Sequence, residues 1–515
     1  MKIKNIYRLC GCLAIALSFS SCGDFLKESS PDLLIPQKVE EYQAVLVGEG
    51  YPNHFTDEAD FIHLMTDDVE VSPTSDSRSS LWDGDDDYNL RQGKGAFTWA
   101  YDIEYYDVSY PSFYKDRYTN IMACNIIIED ADKITGEQEK VNSCVAQAYT
   151  LRALNYLWLV STYAKPYNEQ TAASDPGVII RLKSQVVRDE PVRSTVKEVY
   201  DLINSDLDNA LERFKNAAVS RNKYLVSERA AQILKSRVAL YQGHWDDAIK
   251  YADLAAEGGY DLYNIGKMTK SELNYHSGSS ASSFAFLDDT NNTEITFLFG
   301  GNEFNSNKFM SNILLLKDAM YTPSKTNEND LIHIYEPGDN RLYAFFMQSV
   351  DEGGEYSDRH MAPYKHYAFD IYSQAVRTAE ALLNAAEAHV QKGTQADVQQ
   401  AISLLNLLRS NRFAADSFKE LTAADFASNE ELLTFVRDER RRELCFEDIH
   451  RWADLKRYGM PRLVHAFYAS KNATPETYVL EEGDQNYILE FPHEVLNYNT
   501  KIQPNTRRNL PSLAN

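Results

Sequence analysis

The chain has 515 residues, long for a single hydrophobic core and enough for two or more packed regions. Apolar residues make up 43% and charged residues 25%, a balance that excludes a disordered or multiply membrane-spanning chain. Lys plus Arg number 52 against 76 Asp plus Glu, and a formal charge of −24 repels phosphate backbones, so no nucleic-acid partner is expected.

The chain opens on Lys2, Lys4 and Arg8, an apolar run from Leu9 to Phe19, and Ser20-Ser21-Cys22. A run this short falls below the roughly 20 residues that span a bilayer and reads as a cleaved signal over 1–21. Small residues before Cys22 follow a bacterial lipobox, with Phe19 where Leu is usual, so Cys22 is expected to be lipidated and to become the mature N-terminus. Residues 22–37, with Ser29-Ser30-Pro31 and Pro36, lack periodicity and read as a tether. Beyond the anchor only Cys124, Cys144 and Cys445 remain, too few for a disulfide framework, and Cys124 and Cys144 fall on apolar helix faces as buried thiols.

Helical periodicity begins at Lys38 to Val47 and returns in Phe113–Ile134 and Val141–Ala164, then in Ser194–Phe214 and Ser227–Glu257, and finally in Ala379–Asn411 and Glu430–Tyr458. Residues 48–112 and 260–370 are rich in Gly, Ser, Asn, Asp and Tyr, with strand-like pieces such as Glu294 to Phe299, and read as irregular insertions. Gly243, Trp245, Ala248, Ala252 and Ala255 stand at tetratricopeptide-like offsets, where small residues let antiparallel helices approach and Trp245 wedges between them. Ala385–Leu408 and Gln147–Ala164 are weaker units of the same kind. The predicted fold is therefore mainly α, a divergent tetratricopeptide-like scaffold with long irregular insertions and short β-strands. Its expected regions are 38–259, 260–370 and 371–515.

Within 439–457, Asp438–Arg442 and Glu447–Arg451 stand at i,i+4 and read as ion pairs bracing a structural helix that packs through Leu444, Trp452 and Leu455. Asp83, Asp85 and Asp87 resemble the start of a calcium loop, but Tyr88 replaces the turn glycine and Lys94 the closing glutamate. A solvated acidic loop is the first reading and an irregular Ca²⁺ site the second; no cofactor is expected. No G-x-S-x-G, P-loop or dinucleotide fingerprint occurs, so an enzyme is not expected, although a carboxylate pair for glycoside hydrolysis needs no motif.

The densest signal lies at 97–118, with nine aromatics in 22 residues. Phe97, Trp99 and Tyr101 alternate and are expected to share one face of an extended piece. Trp82, Tyr88, Asn89, Arg91 and Gln92 add rings and hydrogen-bonding groups, the mixture that a sugar's C–H faces and hydroxyls require. The candidate ligand residues are Trp82, Tyr88, Arg91, Trp99 and Tyr101.

The sequence resembles the SusD/RagB family. Cys22-Gly-Asp-Phe-Leu, Tyr118 to Asn125, Ala148 to Tyr156, Asp206 to Ala210, Ala386-Glu-Ala388 and above all Glu439 to Arg457 carry the likeness, and the family's terminal I-P motif stands as Phe491-Pro492. The resemblance implies a SusD-like fold and an outer-membrane lipoprotein that captures glycan and hands it to a SusC-like TonB-dependent transporter. Alternatives from other classes are a helical-repeat scaffold for peptide or protein and a lipid-anchored glycosidase.

Overall fold

The computed structural model describes residues 36–71, 85–185, 191–273, 284–301, 321–350, 356–363, 374–469 and 473–512, with the backbone alone at 56–57, 85–89, 347–350 and 356–363. Cys22, Trp82 and Asp83 lie outside the described residues.

Helices build the frame. α1 (Val39–Val45), α2 (Phe55–Leu64) and α3 (Asp85–Phe97) lead into the long pair α4 (Tyr110–Glu129) and α5 (Gln138–Tyr163). α6 (Val196–Phe214), α7 (Glu228–Gln242) and α8 (Trp245–Ala255) follow, then α9 (Thr378–Lys392) and α10 (Gln395–Ser410). α11 (Asn429–Leu444), α12 (His450–Arg457) and α13 (His493–Tyr498) complete the set used below. Caps mark where these helices start. Thr195 accepts from the Glu198 amide while Glu198 accepts from the Thr195 amide at 2.7 Å, and Ser227, Thr394 and Ser428 cap α7, α10 and α11. Gly243 and Gly393 end α7 and α9 with φ of +75° and +70°, a left-handed turn that a Cβ would strain.

The expected helical-repeat units are α7–α8 and α9–α10. They join through a small cluster in which Trp245 packs on Ala239, Leu240, Ala248 and Ala388. α5 is buried along most of its length, with Trp158, Tyr156 and Tyr163 fully inside. Cys124, Cys144 and Cys445 are buried and join no disulfide among the described residues, and burial pushes the Cys144 thiol up to about 12. The strands are short and pair in twos, all antiparallel: β1 (Val69–Val71) with β3 (Tyr321–Pro323), β2 (Ile295–Phe299) with β6 (Gln374–Arg377), β4 (Phe346–Val350) with β5 (Tyr356–Pro363), and β7 (Leu463–Phe467) with β8 (Glu476–Leu480). No helix among the described residues is long and apolar enough to cross a membrane.

Two expectations are corrected. Residues 48–112 contain α2 and α3, which their polar, glycine-bearing sequence hid. Residues 439–457 are no single helix: the chain breaks after Leu444, with Phe446 and Asp448 in left-handed conformations (φ +57° and +52°). The expected i,i+4 pairs do not form: Arg442 turns to Glu439 one turn back in its own helix, and Glu447 and Arg451 take distant partners. Arg442 donates to Glu439 at 2.7 Å, Glu447 accepts from Arg377 at 2.7 Å, and Arg451 donates to Asp67 at 2.6 Å. Around them Glu443 accepts from Arg341, Arg377 and Arg412 at 2.8–3.1 Å, and Asp339 holds Arg341 on its other side. The segment's packing role stands: Leu444, Trp452 and Leu455 are buried, with Trp452 stacked on Tyr487 at 5.0 Å.

Candidate functional site

α3 presents two faces. On the inner one, Leu90 and Phe97 are buried, and Gly93 leaves room for Tyr321, whose ring would lie 2.6 Å from an added Cβ. On the outer one, Gly95 seats Tyr106 as closely, an added Cβ falling 2.8 Å from it. Positions 88, 91 and 95 recur at helical spacing, so the backbone places Tyr88 and Arg91 on the strip that ends at Tyr106; Arg91 is exposed.

The alternation expected at Phe97, Trp99 and Tyr101 is not an extended piece. Phe97 is the last residue of α3, and Trp99 adopts a left-handed φ of +51°. That turn swings the indole inward, where Nε1 donates to the Met65 carbonyl at 2.9 Å. His465 lies between Phe97 and Trp99, with both ring centroids 4.2 Å from it. Trp99 is 0% exposed and belongs to the core, so its role as a ligand-stacking ring is corrected.

Past this turn the rings face water. Tyr101 is 51% exposed, Tyr105 79% and Tyr106 36%, and Tyr105 and Tyr106 meet edge to face at 5.2 Å. Ile103, buried, pins the loop between them, and Asp102 accepts from the Tyr105 amide at 3.1 Å. His493, at the start of α13, donates its amide to Glu104 at 2.8 Å and sets Nε2 at 3.2 Å from Asp102. On the α3 side, Lys94 pairs with Glu476 at 2.8 Å above the Phe467 ring, and the Tyr478 hydroxyl donates to the same carboxylate at 2.6 Å. The Lys94 ammonium and the Tyr478 hydroxyl hold the Glu476 carboxyl below its ordinary range.

The surface is thus a set of flat phenol rings bordered by carboxylates, an imidazole and an ammonium. It offers C–H/π faces and directional donors and acceptors together. No group of His, Cys, Asp and Glu that could hold a metal is present among the described residues, and the side chains of the expected calcium loop lie outside them. Of the expected ligand residues, Arg91 on α3 and Tyr101 in the loop after it are exposed, and Tyr88 belongs to the same helix as Arg91; Trp82 lies outside the described residues. The expectation missed Tyr105 and Tyr106 as the exposed rings, although two adjacent tyrosines among acids are a poor core sequence. It could not have found His493, Glu476 or Tyr478, which arrive from more than 370 residues downstream.

Two family profiles match. One, described as the SusD family, covers residues 260–510, and another, described as starch-binding associating with outer membrane, covers residues 24–240. The SusD-like protein P2 of Formosa agariphila is 26% identical over 429 residues, 76% of this chain and 79% of its own length. A SusD-like carbohydrate-binding protein of Bacteroides vulgatus superposes with a TM-score of 0.62 at 19% identity, covering 90% of this chain and 97% of its own. A SusD superfamily protein of Bacteroides fragilis gives 0.64 at 20% identity, covering 91% of this chain and 100% of its own. With a mainly α scaffold of repeat-like helix pairs and these matches along nearly all of its length, the chain belongs to the SusD family.

Proposed function

We propose that this protein is a non-catalytic surface lipoprotein that binds oligosaccharide on the tyrosine face beside α3 and delivers it to a SusC-like TonB-dependent transporter in the outer membrane. The observation that carries the reading is the exposure of Tyr101 and Tyr105, rings the core does not use, beside carboxylates and cationic groups that can meet sugar hydroxyls. The family descriptions point the same way, one naming starch binding in association with the outer membrane. Arg91 extends the proposed face along α3, Tyr88 and Trp82 are kept as candidate ligand residues on their sequence alone, and Cys22 supplies the lipid anchor once residues 1–21 are removed. In this reading 22–37 tether a body made of 38–259, 260–370 and 371–515.

Calorimetry against neutral oligosaccharides tests it. Tyr105→Ala and Tyr101→Ala should each weaken the best ligand about tenfold, the loss expected of a stacked ring. Full affinity in both variants, or binding of peptides in place of every glycan, overturns the assignment. Unchanged oligosaccharides after long incubation are expected of a binder, and released products would make the protein a hydrolase. Co-isolation with a TonB-dependent transporter from outer membranes tests delivery.

A further inference from the structure

A groove of about 510 Å³ runs along α4, closed on one side by residues 179–185 and on another by α13. Its apolar lining includes Tyr118, Met122 and Ile179, with Val495 and Tyr498 on α13. Two of these are left to water by the fold: Met122 is 44% exposed and Tyr498 78%. Apolar surface gathered in a concavity of this size is what small-molecule sites are made of.

The polar groups around it are already committed. The Tyr118 hydroxyl donates to the Ile179 carbonyl at 2.7 Å, the Asn125 amide to the Arg181 carbonyl at 3.0 Å, and the Asn499 amide to the Val495 carbonyl at 2.7 Å. A sugar seated here would give up water at many hydroxyls and find few replacements, a loss that apolar contact does not repay. The charges are distributed differently. Lys115, Arg181 and Lys183 line the groove against a single acid, Glu494, the reverse of the chain's 52 bases to 76 acids. Lys183 pairs with Glu129 at 3.3 Å, whereas the side chains of Lys115 and Arg181 make no hydrogen bond or ion pair among the described residues. Two uncommitted cations beside an apolar trough, on a strongly acidic protein, ask for an anion with an apolar body.

We propose that this groove is a second binding site, for a straight-chain carboxylate of the fatty-acid type, its chain along α4 and its carboxylate between Arg181 and Lys115. The site is separate from the tyrosine face and stands whether or not that face binds glycan. Its test is titration of the full chain with decanoate below its micellar concentration, with 1-decanol as the uncharged counterpart. Decanoate should bind one to one. Arg181→Met and Lys115→Met should each weaken it about tenfold, the scale of one charge-assisted hydrogen bond, and leave 1-decanol unchanged. Met122→Glu, which sets a like charge on an exposed position of the lining, should abolish decanoate binding while the melting temperature holds. No binding of decanoate by the wild type overturns the proposal, and so does a double Arg181→Met/Lys115→Met variant that binds it within about a factor of two.

Discussion

At the scale of single residues, six positions separate a core ring from a surface one. The left-handed turn at Trp99 buries its indole against His465, while Tyr105 in the following loop stays in water. Trp99→Ala should therefore cost about 3–5 kcal/mol of folding stability, as other buried Trp truncations do, and leave glycan affinity alone in the fraction that folds. Tyr105→Ala should shift stability by no more than about 0.5 kcal/mol. Urea denaturation of both variants decides the pair, and equal losses would remove the distinction drawn here. His465 adds a pH dependence. Its nitrogens lie 2.6 Å from the Phe97 carbonyl and 3.1 Å from that of Thr66, contacts that favour the cation together with the Asp67 and Asp330 carboxylates, yet burial outweighs them all and pushes it down from 6.5 to about 4. Between these values the unfolded chain binds the proton and the folded one does not. The native state thus keeps the full contribution above about pH 6.5 and loses up to about 3 kcal/mol as pH falls towards 4. His465→Phe should flatten that slope. Denaturation at about pH 7.5, 5.5 and 4.5, read as the difference between wild type and variant, measures it.

Whole elements show what a sequence can and cannot carry. α7 was legible because period, cap and terminal glycine agree, with Ser227 and Gly243 bracketing it; α9 shows its period and its closing Gly393, and α5 its period alone. α3 was not, because its apolar positions are sparse and Gly93 and Gly95 read as loop residues, although both are small to admit tyrosines from elsewhere. The Glu439–Arg457 segment was legible as structural and misread in detail. Local spacing offers i,i+4 partners, but the guanidinium groups are buried and take whichever acceptors complete their hydrogen bonds, near for Arg442 with Glu439 and distant for Arg451 with Asp67. Alternation puts Trp99 and Tyr101 on one exposed face; Tyr101 is exposed, but the left-handed turn at Trp99, which no local pattern announces, sends that ring into the core. The network predicts its own fragility. Glu443→Gln would leave Arg341, Arg377 and Arg412 sharing a neutral amide in a buried site, and should cost about 3–5 kcal/mol. By contrast Trp452→Phe should cost much less than Trp452→Ala, because the Trp452 Nε1 has no hydrogen-bond partner among the described residues and phenylalanine keeps the stack on Tyr487. Thermal unfolding of these three variants orders the costs, and a Glu443→Gln protein as stable as wild type would refute the account of the network.

Across the whole molecule, the charge of −24 constrains what the tyrosine face can take. Asp102, Glu104 and Glu476 border that face, and the rest of the surface adds to the same negative potential. An acidic glycan would meet repulsion that falls as salt screens it, so its affinity would rise with ionic strength. A neutral glycan held by ring stacking and hydrogen bonds carries no net charge for that field to act on. The proposed function therefore predicts a neutral ligand whose dissociation constant moves by less than about twofold between roughly 20 and 500 mM NaCl, although the screening length shortens from about 20 Å to about 4 Å over that range. Decanoate at the α4 groove should behave differently: attraction to Arg181 and Lys115 and the repulsive field of the whole chain both weaken with salt, while the apolar contribution persists. The two sites can be told apart in one protein by titrating each ligand at both salt concentrations. A glycan whose affinity climbs tenfold with salt would show that the tyrosine face reads an anion against the field of its own protein, and the neutral assignment would fall.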